Sequence, residues 1–193
     1  MTTEDWKHIL NIQPPRRTKL PVTELATTPF SGLSQHPVSF GSFKKDYYVT
    51  DFGTCASIVV PRAQTVLMTA QYRYLIDDIS LELPGGMTDA NEKLSAAAKR
   101  ECLEETGIQC SNLTHLLTYR PGLDNVENLT HIYIAGSCER ARAFEPSPDE
   151  VLGIAWIPLQ DCLAMVFEKQ ITDAATVMGL LAYDRYTSHS ETP

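Results

Sequence analysis

Three carboxylates crowd the run Arg100-Glu101-Cys102-Leu103-Glu104-Glu105-Thr106-Gly107. On a helix each residue advances by about 100°, so Glu101, Glu104 and Glu105 fall within an arc of about 100° on one face. Like charges at this spacing repel by a few tenths of a kcal/mol, and the negative end of the helix dipole opposes them again. A cation should therefore accompany them. Arg100 can pair with Glu104, but one guanidinium does not neutralise three carboxylates. A hard divalent ion bound through oxygen could, and Mg²⁺ typically takes a few carboxylates while keeping waters or phosphate oxygens in its shell. A solvated acidic helix end without any ligand is the plainer alternative, and the triplet alone leaves both open.

These side chains need a helix to carry them. Residues 91–106 supply one, with Leu94, Ala96, Ala97, Ala98 and Leu103 as its apolar positions and Gly107 suited to a left-handed stop. Ahead of it, β-rich stretches over 47–49, 56–60 and 65–69 read as packed strands. After it, strands are expected over 113–119, 130–135 and 152–157, then helices over 159–169 and 173–182. The expected fold is α/β, a mixed sheet covered on its faces by helices. The first 45 residues carry Pro14, Pro15, Pro21, Pro29 and Pro37 among many Ser and Thr, and read as an irregular, extended arm, with a disordered tail as the alternative. The organisation expected is therefore an arm over 1–45, one domain over 46–186 and a frayed tail over 187–193.

Composition narrows the function classes. A chain of 193 residues with 43% hydrophobic and 21% charged residues can close one sizeable core. A net charge of −8 argues against binding nucleic acid, which needs clustered Lys and Arg, so an anionic substrate must be met locally. The opening residues lack the basic-then-apolar pattern of a leader, and no apolar run approaches the roughly 18 to 20 residues of a membrane span. Five scattered cysteines without a C-x-x-C fit reduced thiols. These features lead us to expect a soluble, cytoplasmic protein without a zinc or disulfide framework.

The wider segment from Gly86 to Ile108, with Glu92, Arg100, Glu101, Glu104, Glu105 and Gly107, has the spacing G-x5-E-x7-R-E-x-x-E-E-x-G. It resembles the Nudix box at every charged or glycine position. Cys102 departs from it, standing where the family prefers a bulkier aliphatic residue, a packing difference more than a chemical one. The resemblance implies a Nudix-type α/β/α sandwich with a catalytic loop-helix-loop that holds Mg²⁺, or Mn²⁺ as a substitute, against a diphosphate. Glu101, Glu104 and Glu105 are then the implied metal ligands, completed by the Gly85 carbonyl, while Arg100 and Glu92 orient the carboxylates.

Further stretches resemble the ADP-ribose pyrophosphatase and nucleotide-sugar branch: Gln71-Tyr72-Arg73, Glu82-Leu83-Pro84-Gly85-Gly86, Tyr119-Arg120-Pro121-Gly122 and Ile171-Thr172-Asp173-Ala174-Ala175-Thr176. They imply substrate contacts by Arg73, Glu82 and Pro121, hydrolysis of ADP-ribose or a related nucleoside diphosphate sugar, and a homodimer in which the arm lies across the partner. The branch often draws its general base from an acidic loop after the box. Here that loop is Glu145-Pro-Ser-Pro-Asp149-Glu150, and Glu150, directly before an expected strand, is the residue chosen. Two other readings stay open: a pyrophosphatase for dinucleotides or nucleoside triphosphates, and a catalytically silent module that binds nucleotide sugars.

Overall fold

The computed structural model describes residues 9–141 and 151–190. The chain divides into two compact units, residues 1–52 with 122–127, and residues 53–121 with 128–193.

Much of the first unit is strand. β1 (Thr18–Lys19), β2 (Thr23–Thr27), β3 (Gly32–Ser39) and the first part of β4 (Lys44–Val59) pair antiparallel around β3. Thr28 turns β2 into β3, its hydroxyl accepting the Ser31 N–H at 2.9 Å. The Phe40 and Phe43 rings stack at the next turn, where Gly41 takes a positive φ. The irregular arm expected for residues 1–45 is thus corrected from Thr18 onward, where the chain is largely strand. Pro14 and Pro15 precede β1, Pro21 and Pro29 fall between strands, and Pro37 within β3 faces Asp46 of β4. Proline is tolerated in a strand where its missing donor is not needed.

The second unit holds the remaining elements: β5 (Pro61–Arg62), β6 (Thr65–Arg73), β7 (Asp78–Glu82), β8 (Gly85–Met87), α1 (Leu94–Thr106), β9 (Ile108–Ser111), β10 (Thr114–Tyr119), the main part of β11 (Val126–Ile134), β12 (Ser137–Arg140), β13 (Gly153–Pro158), α2 (Leu159–Phe167) and α3 (Ala174–Ser190). Successive strand side chains point to opposite faces. Ala56, Ile58 and Val60 accordingly pack with Ala97, Ala98 and Cys102 of α1, whereas Val59 packs with Cys162 and Leu163 of α2 and Leu180 of α3. Strands thus lie between α1 on one side and α2 with α3 on the other. Each fully buried aliphatic side chain in these two layers contributes about 1.5–3 kcal/mol.

Several expected boundaries move. α1 begins at Leu94 rather than residue 91, because Asn91 sits at φ 66° and Lys93 is extended. α3 runs to Ser190, past the expected end of its helix and into the stretch expected to fray. The short strands β7, β8, β9 and β12 were not expected. No helix among the described residues is long and apolar enough to cross a membrane.

Candidate active site

Helix α1 ends where its charge is densest. Gly107, at φ 68°, turns the chain left-handed, and its N–H reaches the Leu103 carbonyl at 2.9 Å. The last turn then distributes its carboxylates by depth. Glu105 shares the inward face with Ala98 and Cys102 and is buried, Glu101 is largely covered, and Glu104 is exposed.

Two neutral donors hold Glu105. The Gly85 N–H meets Oε2 at 3.0 Å, and the Gln71 amide meets Oε1 at 2.8 Å. Burial pushes its pKa up to about 7; the two hydrogen bonds pull the other way, and the charges of Glu101 and Glu82 add to the rise. A desolvated carboxylate beside two like charges is a place where a cation is stabilising.

Arg100 gathers the rest. Its Nε and Nη2 bind the two Glu92 oxygens at 3.1 and 3.0 Å, and Nη2 also donates to the Met87 carbonyl at 3.0 Å. Its Nη1 donates to Glu101 at 2.9 Å and to Glu104 at 3.0 Å. The guanidinium holds Glu92 below the usual carboxylate range, helped by the Asp89 N–H at 3.1 Å. Glu92 precedes the helix, in the loop shaped by the positive φ of Asn91, and this placement allows the fork.

The two glycines before the helix allow close approach. A Cβ on Gly86 would stand 2.7 Å from the Glu101 carboxylate, and one on Gly85 would strike Ser57 and the Ala56 carbonyl on β4. Gly85 reaches the site through its N–H.

Arg73 of β6 and Glu82 of β7 join as a two-pronged ion pair, at 2.7 Å through Nε and 2.5 Å through Nη2. The Arg73 side chain is half exposed while that of Glu82 is covered. Both line a groove of about 360 Å³ that includes Asp173 at the start of α3. Pro121 is exposed just beyond β10 and is not among the residues lining that groove. Glu150, with Glu145 and Asp149, lies outside the described residues.

Gln71 lies in the Gln71-Tyr72-Arg73 stretch, to which the sequence assigns a contact only through Arg73. Thr69, Gln71 and Arg73 alternate along β6, and a period of two would have placed Gln71 on the same side as Arg73. The carboxylate oxygens of Glu101, Glu104 and Glu105 suit a hard divalent ion. Among the described residues no group of three or more His, Cys, Asp or Glu side chains is arranged as a cage, and Arg100 holds Glu101 and Glu104.

The family model for the NUDIX domain matches residues 51–177. The chain belongs to the Nudix family. Its Nudix box is the loop and helix just described, and it is a Nudix pyrophosphohydrolase. Nudix hydrolases generally use divalent metal ions. The chain is 31% identical over 142 residues to a CMP-5'-(N-acetyl-N-hydroxy-3-aminopropyl)phosphonate hydrolase of Streptomyces rubellomurinus, covering 74% of this chain and 68% of the relative. It is 25% identical over 143 residues to an ADP-ribose pyrophosphatase of Bacillus subtilis, covering 72% and 76%. The crystal structure of an ADP compounds hydrolase superposes with a TM-score of 0.79 at 17% identity, over 92% of this chain and 97% of that one. The fold is the expected Nudix α/β/α sandwich with a mixed sheet.

Proposed function

We propose that this Nudix hydrolase cuts the diphosphate bond of ADP-ribose or a related nucleoside diphosphate sugar, giving a nucleoside monophosphate and a sugar phosphate. Mg²⁺ is the proposed ion and Mn²⁺ its substitute. The observation that carries the reading is the buried Glu105, held by Gly85 and Gln71 beside Glu101 and a groove containing Arg73. Glu101, Glu104, Glu105 and the Gly85 carbonyl would hold the ion. When bound, it would neutralise diphosphate charge and make a water more acidic.

The chain's own residues have distinct tasks in this reading. Arg100, fixed by Glu92, sets the direction of Glu101 and Glu104. Arg73 donates to a phosphate or base oxygen, with Glu82 fixing its plane. Glu150 accepts the proton of the attacking water, and Pro121 borders the substrate. The protein works as a homodimer in the cytoplasm.

A second reading is favoured by the 31% identity to a hydrolase named for a CMP-linked phosphonate. A turnover screen with Mg²⁺ separates the two, using ADP-ribose, GDP-mannose, UDP-glucose, a dinucleotide and a CMP-linked phosphonate, with products identified by chromatography. Adenosine monophosphate and ribose phosphate from ADP-ribose are the expected products. Preferred cleavage of the phosphonate or the dinucleotide overturns the sugar assignment. Tight calorimetric binding of ADP-ribose without turnover of any compound makes the chain a binding module.

A further inference from the structure

The segment Glu82–Gly85 links the groove to the helix carboxylates, so whatever fixes it fixes both. It has few means of holding itself. The β6–β7 ladder ends at the pair Thr69 and Glu82. Pro84 has no N–H, which leaves two backbone donors after Glu82. The Gly85 N–H goes to Glu105 on α1 at 3.0 Å. The Leu83 N–H goes to the Thr176 hydroxyl on α3 at 2.9 Å.

We propose that Thr176 is a positioning residue of the active site, its hydroxyl anchoring this segment from α3 so that Gly85 and Glu82 stand in register with Glu105 and Arg73. This rests on the hydrolase reading above.

Thr176 is fully buried in the first turn of α3. Its hydroxyl donates to Asp173 Oδ2 at 2.7 Å, and the same oxygen accepts the Thr176 N–H at 2.8 Å. An ionised carboxylate only accepts, so the hydroxyl proton is committed to Asp173 and a lone pair is left for Leu83. Helix capping alone does not require this arrangement. At the third helical position a capping side chain would return to the cap residue's own N–H, whereas this hydroxyl reaches a different element. Gly179, one turn further on, lets α3 come close to the same residue, since a Cβ there would stand 2.5 Å from Leu83 Cδ1. The carbonyls are fixed from the other side, that of Glu82 by the Thr69 hydroxyl at 3.1 Å and that of Pro84 by the Ile58 N–H at 2.9 Å.

A displacement on the order of 1 Å in a catalytic frame costs roughly a hundredfold in rate. Thr176→Val keeps the shape and removes the hydroxyl, and is expected to lower kcat by about 10- to 100-fold while KM changes less. Thr176→Ser, which keeps both bonds, restores wild-type values. Two readouts are independent of turnover. In the full, metal-free chain, Thr176→Val should speed hydrogen exchange at the Leu83 and Gly85 amides and leave the amides in the middle of α1 unchanged. Calorimetry with Mn²⁺ alone should show affinity weakened several-fold. Thr176→Ala is read in the same way should the valine variant fail to fold. Wild-type exchange at Leu83 in the variant overturns the anchor, and so do faster exchange with unchanged kcat and unchanged Mn²⁺ affinity. If the wild-type chain turns over nothing in the substrate screen, the hydrolase reading fails by itself, while exchange and Mn²⁺ affinity still decide the anchor.

Discussion

Glu105 stands where two opposing effects meet. Desolvation favours its proton, with a pKa near 7, while the Gln71 and Gly85 donors favour its charge. An ordinary glutamate in the unfolded chain releases its proton near 4.5. Between these values the folded state binds more protons than the unfolded one, so metal-free stability falls as pH rises from about 4.5 to 7 and levels off above. The loss is on the order of a few kcal/mol at most. Glu105→Gln should flatten that slope in metal-free thermal melts and make the variant more stable than wild type above pH 7. It should also lower the hydrolysis rate by at least roughly a hundredfold, with the fold intact by circular dichroism. Wild-type rates in a folded variant would remove Glu105 from the site. Glu150→Gln tests the general base: kcat is expected to fall by roughly two to four orders of magnitude with little change in Mg²⁺ or substrate affinity. Normal kcat there, with loss in Glu145→Gln or Asp149→Asn, moves the base to that residue. The carboxylates were legible in the sequence because their spacing is self-referential, every member lying on one helix. Gln71 and Thr176 stand in stretches the sequence marks, but their roles were not legible there, because a neutral side chain acquires its role from a partner on another element.

At the scale of elements, the useful difference lies in where α1 begins. A helix over residues 91–106 would have put Glu92 on the same rod as Arg100, two turns away. Because Lys93 is extended and Asn91 left-handed, Glu92 folds back and takes both its oxygens to the guanidinium. Asn is among the residues that tolerate this conformation, but tolerance does not mark a site of use, so the late start could not be read from propensity. The end of the helix was readable, since Gly107 has the conformational freedom a left-handed stop requires. Arg100→Lys keeps the charge but has three donors on a point cation in place of a planar fork. It cannot hold Glu92, Glu101, Glu104 and the Met87 carbonyl together. The expected result is a 10- to 100-fold fall in kcat/KM and a higher Mg²⁺ concentration for half-maximal rate, measured by titrating Mg²⁺ at saturating substrate. Unchanged metal dependence would show that the fork does not direct the carboxylates.

For the whole molecule, the informative quantity is how little the first unit buries. Among its described residues Val38 is the one buried hydrophobic side chain, while Val22, Leu25, Phe30, Phe43, Tyr48 and Phe52 are exposed. The prolines and hydroxyl residues of this stretch conceal its strands, since the pairing register is set by β3 and β4 rather than by local preference. A unit with so small a core gains from a second apolar surface, and a stable interface covers about 800 Å² on each partner. A second copy of the chain is the occupant proposed here, consistent with apolar side chains distributed along β2 and its turn into β3. Light scattering should give twice the chain mass for the wild-type protein. The double variant Leu25→Asp, Phe30→Asp, which alters two exposed positions and no site residue, should shift the mass to that of a single chain, and deletion of residues 1–45 should do the same. A monomer before and after either change rejects the dimer. A dimer that survives both places its interface elsewhere on the molecule.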